Sequence, residues 1–475
     1  MSPATPASDD VVAPSASFKI KLAGFVAPGA FNALGALNML FRNQVIGVPA
    51  AVVGLALSAM IFSDAFTDIL IGHASDRTRT RWGRRHPFML AGMLLIPIAL
   101  YFRWHPPRDW VADSMFWYIY ATGIFVNVAF SIFEIASNAL GPELAKAYHD
   151  RTKLISYRWM LGTVTAAIAT TLIYGVFLRA TPEHPVGQLN VEGYGPLSVT
   201  ITVMVVGSIL AIMLGTRHVI PELHQTPPSV RVSLRDQLRQ ISGVLNNRNF
   251  LVAVASGLIS GLGAGMEAGL KLYFQTFLWG LKSSDILVLG LLAMPTPIVA
   301  AMIAPRLGER FGKKRACMSL FFASVAIGNL PLLLKLTGVL TLEASPLLLA
   351  ILGSFAFASG VCTIAGFILV SSMVSDIVED VQAKTGERSE GLLMTADSLP
   401  NRVINSLSVA LPGMMLAWVA FPAKGKPGPE TMELMSRVGW IYLPSFVIIS
   451  ILSISIWMFY RIDQQTHERN LRAVA

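Results

Sequence analysis

The 475-residue chain is 53% hydrophobic and only 14% charged, whereas ordinary soluble domains carry about 25% charged residues, so water-soluble cores are excluded and lipid is the expected solvent. Its net charge of +9 is spread in short clusters between apolar runs, which excludes a nucleic-acid surface and points to membrane topology signals. Cys317 and Cys362 lie at or inside apolar runs and are too few for a disulfide framework or a zinc site; no cofactor is expected.

Residues 1–17 are small and polar with Asp9 and Asp10. They lack the basic start and apolar run of a secretory signal and are read as a disordered, uncleaved cytoplasmic tail. Runs of about 20 apolar residues cross a bilayer as helix. Six are read at 19–43, 50–74, 87–104, 114–141, 154–179 and 197–216, here called spans 1 to 6. A basic central loop, 220–248, precedes spans 7 to 12 at 249–279, 284–305, 316–337, 346–374, 391–421 and 437–460, and 463–475 is a second tail. The expected fold is all-α: twelve membrane helices in two six-helix halves, 18–219 and 249–462, acting as a monomer.

Cytoplasmic loops are enriched in Lys and Arg. With the N-terminus inside, the basic segments Arg77–Arg85, Lys146–Lys153, Arg217–Arg248 and Arg306–Arg315 all fall on the cytoplasmic side, so both termini are predicted there. The turn after span 2, Asp76 to Arg85, resembles the turn after span 8, Arg306 to Arg315, and the two occupy equivalent places. Asp76, Arg77, Arg81, Gly83 and Arg84 are read as a gating loop that clamps helix ends, with a pure topology anchor as the other reading. Six plus six helices with a matched basic turn is the layout of major facilitator transporters, which alternate access about a midplane site.

Ionisable residues inside a membrane are functional candidates by default. On span 2, Asp64 and Asp68 are four residues apart and share a helix face that Gly72 continues. Counted from Asp76, they lie about 18 and 12 Å deep at about 1.5 Å per residue. Two buried carboxylates one turn apart repel unless a cation or proton lies between them. Glu134 on span 4 and Arg158 on span 5 lie at similar depth, and three acids with one guanidinium leave room for a single Na⁺, Li⁺ or H⁺, with Thr67 and Ser131 as neutral oxygen ligands. The other reading is a static ion-pair network locking spans 2, 4 and 5. On span 11, Asp397 and Arg402 are five residues apart and face different partners. Arg402 is either a substrate-side cation or the neutraliser of a first-half acid. Glu267 and Lys271 on span 7 are four apart and read as a local ion pair or outer gate.

These residues resemble the glycoside–pentoside–hexuronide cation symporters. The resemblance is carried by Asp64-Ala-Phe-Thr-Asp68-Ile-Leu-Ile-Gly72 followed by Arg81-Trp82-Gly83-Arg84-Arg85-His86-Pro87, by Ser131-Ile-Phe-Glu134 with Pro142, by Asp150-Arg151 to Arg158, and by Asp376 to Glu379 with Gly386 to Gly391. It implies that Asp64 and Asp68 ligate the coupling cation, that Glu134 joins cation and substrate sites, and that Arg158 contacts substrate. The chain departs from galactoside carriers: Leu34 stands at an acidic position of helix 1, Asn138 at a stacking tryptophan, and Asn401-Arg402 near a helix 11 lysine. Asn32, Asn38 and Asn138 offer amides for a different polyol, and Phe367 matches an aromatic position that supports a ring. The expected activity is import of a sugar or glycoside with Na⁺ or H⁺ through a bacterial inner membrane. A carrier of lysolipid or another nonsugar solute, and a nontransporting receptor, are the competing readings; no zinc-type His spacing, nucleophile elbow or phosphate-cradling loop suggests an enzyme.

Overall fold

The computed structural model describes residues 26–78, 80–107, 110–144, 148–217, 220, 247–385 and 390–462. The two tails and most of the predicted central loop lie outside the described residues, as do the side chains of Asp76, Arg77, Arg158 and Asp397.

Each predicted span contains helix among the described residues. Span 2 is Ala50–Arg77, span 3 His86–Trp104, span 4 Ala112–Leu144 and span 6 Tyr194–Thr216, while span 5 runs Tyr148–Thr171 and ends in a π-helical turn, Leu172–Phe177. Span 7 repeats that ending, Arg248–Tyr273 followed by Phe274–Leu278. Spans 9 to 12 are Lys313–Leu336, Pro346–Thr385, Glu390–Trp418 and Pro429–Ile456. Ten helices among the described residues are long and apolar enough to cross a membrane. Span 1 is broken into Val26–Gly35, Asn38–Leu40 and a π turn at Phe41–Ile46, and span 11 carries Asp397, Pro400 and Arg402 in its first half. Span 8 is also divided, into Ser283–Leu292 and Thr296–Phe311. Pro295 and Pro297 flank the break and remove two amide donors there.

The main buried cluster runs through the first half and crosses to spans 7 to 12 at the end opposite the basic turns. A smaller cluster, with Phe250, Ala304, Cys317, Met373 and Trp457, lies within the second half near its basic end.

The two basic turns are built alike. Gly83 has φ +82° and Gly312 has φ +79°, a left-handed conformation that a side chain opposes, and each reverses the chain into the following span. After Gly83, Arg85 donates to Ser75 Oγ of span 2 at 2.9 Å. His86 Nε2 lies 2.7 Å from Thr216 Oγ1 of span 6; the Thr216 hydroxyl already donates to the Ile212 carbonyl, so the imidazole N–H is the donor. After Gly312, Lys313 Nζ reaches both oxygens of Asp376 on span 10 at 2.8 Å, and Lys314 Nζ donates to the carbonyls of Met458 and Tyr460 beyond span 12. These bonds all stay within one half. Arg81 stays exposed, its guanidinium 5.5 Å from the Trp82 ring, and Arg84 is half-buried with a partner.

Candidate functional site

Spans 2 and 11 pack together over most of their length. Close approach is set by glycine: a Cβ on Gly413 would lie 2.5 Å from the Ala50 carbonyl oxygen and 3.0 Å from Gly54 Cα. Backbone contact of this kind is how small residues join membrane helices. Ser58 and Ser406 continue the seam at 3.2 Å. One further turn along, Arg402 lies across both aspartates, Nη1 donating to Asp64 Oδ2 and Nη2 to Asp68 Oδ2.

The carboxylates are more enclosed than their partner. Side-chain exposure is 9% for Asp64 and 18% for Asp68, against 38% for Arg402, so the guanidinium forms the accessible lid of the pair. Each aspartate spends one oxygen on Arg402, and the other, Oδ1 in both cases, is buried without a hydrogen-bond partner. Buried carboxylate oxygens are costly unless something satisfies them. A monovalent cation or a proton between the two does so, and the donor set is one that hard cations accept.

Of the two sequence readings of Arg402, the structure takes the second: it neutralises first-half acids. Two other expectations change. Thr67 Oγ1 donates to its own helix, to the Asp64 carbonyl at 3.0 Å. Among the described residues no three His, Cys, Asp or Glu side chains gather as a metal-holding group, so Glu134 does not close on Asp64 and Asp68 in this arrangement. Arg402 already supplies the positive charge that a third acid would compete for. Glu134 is half-buried and Asn138 exposed, each with a partner, and Ser131 is buried one turn before Glu134. Phe367 is 52% exposed and meets Phe321 of span 9 edge-on at 5.3 Å. Glu267 and Lys271 are both exposed and form no ion pair with each other; a spacing of four permits such a pair without requiring it.

The sequence reading missed the polar seal at the end opposite the basic turns. Tyr273 of span 7 donates to Asn43 Oδ1 of span 1 at 2.8 Å. Gln44 donates to the Pro422 carbonyl at 3.0 Å and accepts from the Gly425 amide at 2.9 Å. Gln188, between spans 5 and 6, donates to Thr276 and to the Leu281 carbonyl at 3.0 Å and accepts from Ser283 at 2.8 Å. All three amides come from the first half, and beside the bonds of Gln44 to Asn43 and of Asn43 to the Val48 carbonyl their side chains bond to the second half. Their burial is the only sign in sequence: amides in otherwise apolar segments. Toward the basic end, Arg402 bridges the halves through Asp64 and Asp68.

Residues 10–464 match the family described as MFS/sugar transport protein. Similar chains include an uncharacterised symporter of Synechocystis sp., 26% identical with 90% of each chain covered. An isoprimeverose transporter of Lactiplantibacillus pentosus is 23% identical, with 98% of this chain and 92% of the relative covered. A glucuronide carrier protein homolog of Escherichia coli K12 is 24% identical over 90% of each. Among solved structures, a bacterial homolog of the human lysosomal transporter Spinster, inward-facing and unoccupied, superposes with TM-score 0.67 at 12% identity, covering 97% of this chain and 99% of that one. The nucleoside transporter NupG gives 0.62 at 12%, covering 93% and 98%; these two likenesses speak to fold alone. The chain is a multi-pass integral protein of the bacterial inner membrane, a transporter and not an enzyme, and it belongs to the MFS/sugar transport family as one of its glycoside–pentoside–hexuronide symporters.

Proposed function

We propose that the protein imports a sugar or glycoside together with Na⁺, Li⁺ or H⁺ by alternating access. The observation that carries this reading is the pair of buried, unpartnered Oδ1 atoms on Asp64 and Asp68, facing a guanidinium that belongs to the other half of the molecule. A cation seated on those two oxygens removes the repulsion between the carboxylates and loosens their need for Arg402. Cation binding and the contact between halves are then one linked equilibrium.

The basic turns lie on the cytoplasmic side in this reading, and both termini with them. The amide seal is then extracellular, and the arrangement is inward-facing. Each half moves as a body, held at its basic end by Arg85, His86, Lys313 and Lys314, while the seal and the span 2–span 11 seam rearrange. Substrate sits beside the cation between Glu134 and Arg158, with Asn138 contributing an amide and Phe367 flanking the path. Sugar-carrying relatives such as the isoprimeverose transporter support this substrate class, and none of the similar chains named above favours a lipid.

Reconstituted vesicles given a glycoside panel, with and without an inward sodium or proton gradient, test the assignment. Gradient-driven uptake is expected for at least one glycoside, and it falls to background in Asp64→Asn and in Asp68→Asn. Uptake that continues unchanged in either variant sinks the coupling site.

A further inference from the structure

Two arginines at the ends of spans 1 and 3 away from the basic turns are buried inside the protein. Arg42, in the π turn of span 1, is 4% exposed, and Arg103, in the last turn of span 3, is 6% exposed. Both point at one amide oxygen: Asn38 Oδ1 accepts from Arg42 Nη1 at 2.7 Å and from Arg103 Nε at 3.2 Å. Arg42 Nη1 also reaches the Asn38 carbonyl at 3.2 Å. Among the described residues no carboxylate pairs with either guanidinium. Arg103 Nη1 is buried without a partner, and so is Trp104 Nε1 on the next residue.

Buried charges in proteins are paired, because an isolated ion in low dielectric is costly and a second ion of like sign beside it raises the cost. The neutral Asn38 amide accepts hydrogen bonds but supplies no countercharge. A buried guanidinium nitrogen without an acceptor, next to a second guanidinium, is a set of donors for a negative ligand. We infer that Arg42, Arg103 and Asn38 form a binding site for one small anion, a halide or a carboxylate, at the end of spans 1 and 3 away from the basic turns.

This site is separate from the Asp64–Asp68–Arg402 cluster and does not depend on which cation is coupled. Access runs through the seal: Asn43 and Gln44 follow Arg42 directly and hold Tyr273, Pro422 and Gly425. With those contacts made, Arg103 Nη1 is shut off from solvent. Exchange of the anion therefore requires the seal to part, and the ligand enters from that side. The anion is either an inorganic ion of the medium or the acid group of a charged solute.

The test measures thermal unfolding of the full-length purified protein in sodium chloride, sodium glucuronate and sodium phosphate, for wild type, Arg42→Met, Arg103→Met and Arg103→Lys. General salt effects are common to all four proteins, so the difference between wild type and variant reports the site. The expected result is a saturable stabilisation of wild type, lost in both Met variants. Arg103→Lys retains it with half-saturation at about tenfold higher anion, since an ammonium lacks the guanidinium fork. Saturation by chloride identifies an inorganic ion, and saturation by glucuronate alone identifies a carboxylate. Curves for wild type and Arg103→Met that superimpose in all three salts overturn the proposal. Should the Met variants fail to elute as folded protein, wild-type crystals in bromide decide: an anomalous peak within hydrogen-bonding distance of Arg103 Nη1 supports the site, and none there overturns it.

Discussion

With Arg402 seated on Asp64 and Asp68, the carrier without a coupling ion holds one positive charge against two negative ones. Removing that guanidinium leaves two enclosed carboxylates with no countercharge unless a cation is bound. Breaking a buried pair by deleting one partner costs about 3–5 kcal/mol, which corresponds to a slowing of about 100-fold or more in any step that carries the unloaded site. Arg402→Gln is therefore expected to keep cation-dependent exchange of labelled for unlabelled substrate, because its loaded site carries the same single net negative charge as the unloaded wild-type site, whereas its unloaded site carries two. Net uptake, which needs the unloaded carrier to return, is expected to be lost. Equal loss of exchange and net uptake in vesicles would place Arg402 at the substrate instead. The aspartate pair was readable from its four-residue spacing, whereas Arg402 was left between two roles. Its partners lie 338 and 334 residues away, and no local pattern encodes a contact between halves. The burial of Arg42 and Arg103 was hidden for a related reason: position along the chain does not report which charged side chains the fold encloses.

Spans 2 and 11 depend on the absence of side chains where they cross. A Cβ at Gly413 meets the Ala50 carbonyl oxygen at 2.5 Å and the Gly54 backbone at 3.0 Å, and backbone cannot yield as a flexible side chain does. Gly413→Val is expected to wedge the helices apart and draw Arg402 off the aspartates, abolishing uptake while the protein still inserts and elutes as a single species. Gly72→Ala is the matched control, since a Cβ there meets nothing within 4 Å, and its uptake is expected to equal wild type. Wild-type uptake in Gly413→Val would show that the seam tolerates separation. At this scale the sequence reading located the ten membrane-length apolar helices among the described residues because apolar run length is a strong, local signal. It missed the break in span 8 and the fragmentation of span 1, which arise from Pro295, Pro297 and the π turn at Phe41–Ile46. It also paired Glu267 with Lys271 on spacing alone, although helical spacing permits such a pair without requiring it.

The whole molecule is asymmetric between its ends. One end is joined across the halves by Gln44, Gln188 and Tyr273, while at the other Arg85, Lys313 and Lys314 hold partners within their own half. Under alternating access the sealed end opens once per cycle, so its contacts must be individually modest and easily exchanged for water, which neutral amide hydrogen bonds are. A covalent tie across the seal then traps one state. Gln44 Oε1 and the Gly425 amide are 2.9 Å apart, so positions 44 and 425 lie one glutamine side chain apart, a span that a short bifunctional thiol reagent bridges. Gln44→Cys with Gly425→Cys is expected to transport when untreated, to stop on treatment with a bis-methanethiosulfonate cross-linker and to recover with reductant. Cys317 and Cys362, both free, are replaced beforehand so that the reagent acts on the new pair alone. Transport that persists in the fully cross-linked protein would mean that this end stays closed throughout the cycle, and the path for substrate would have to lie elsewhere.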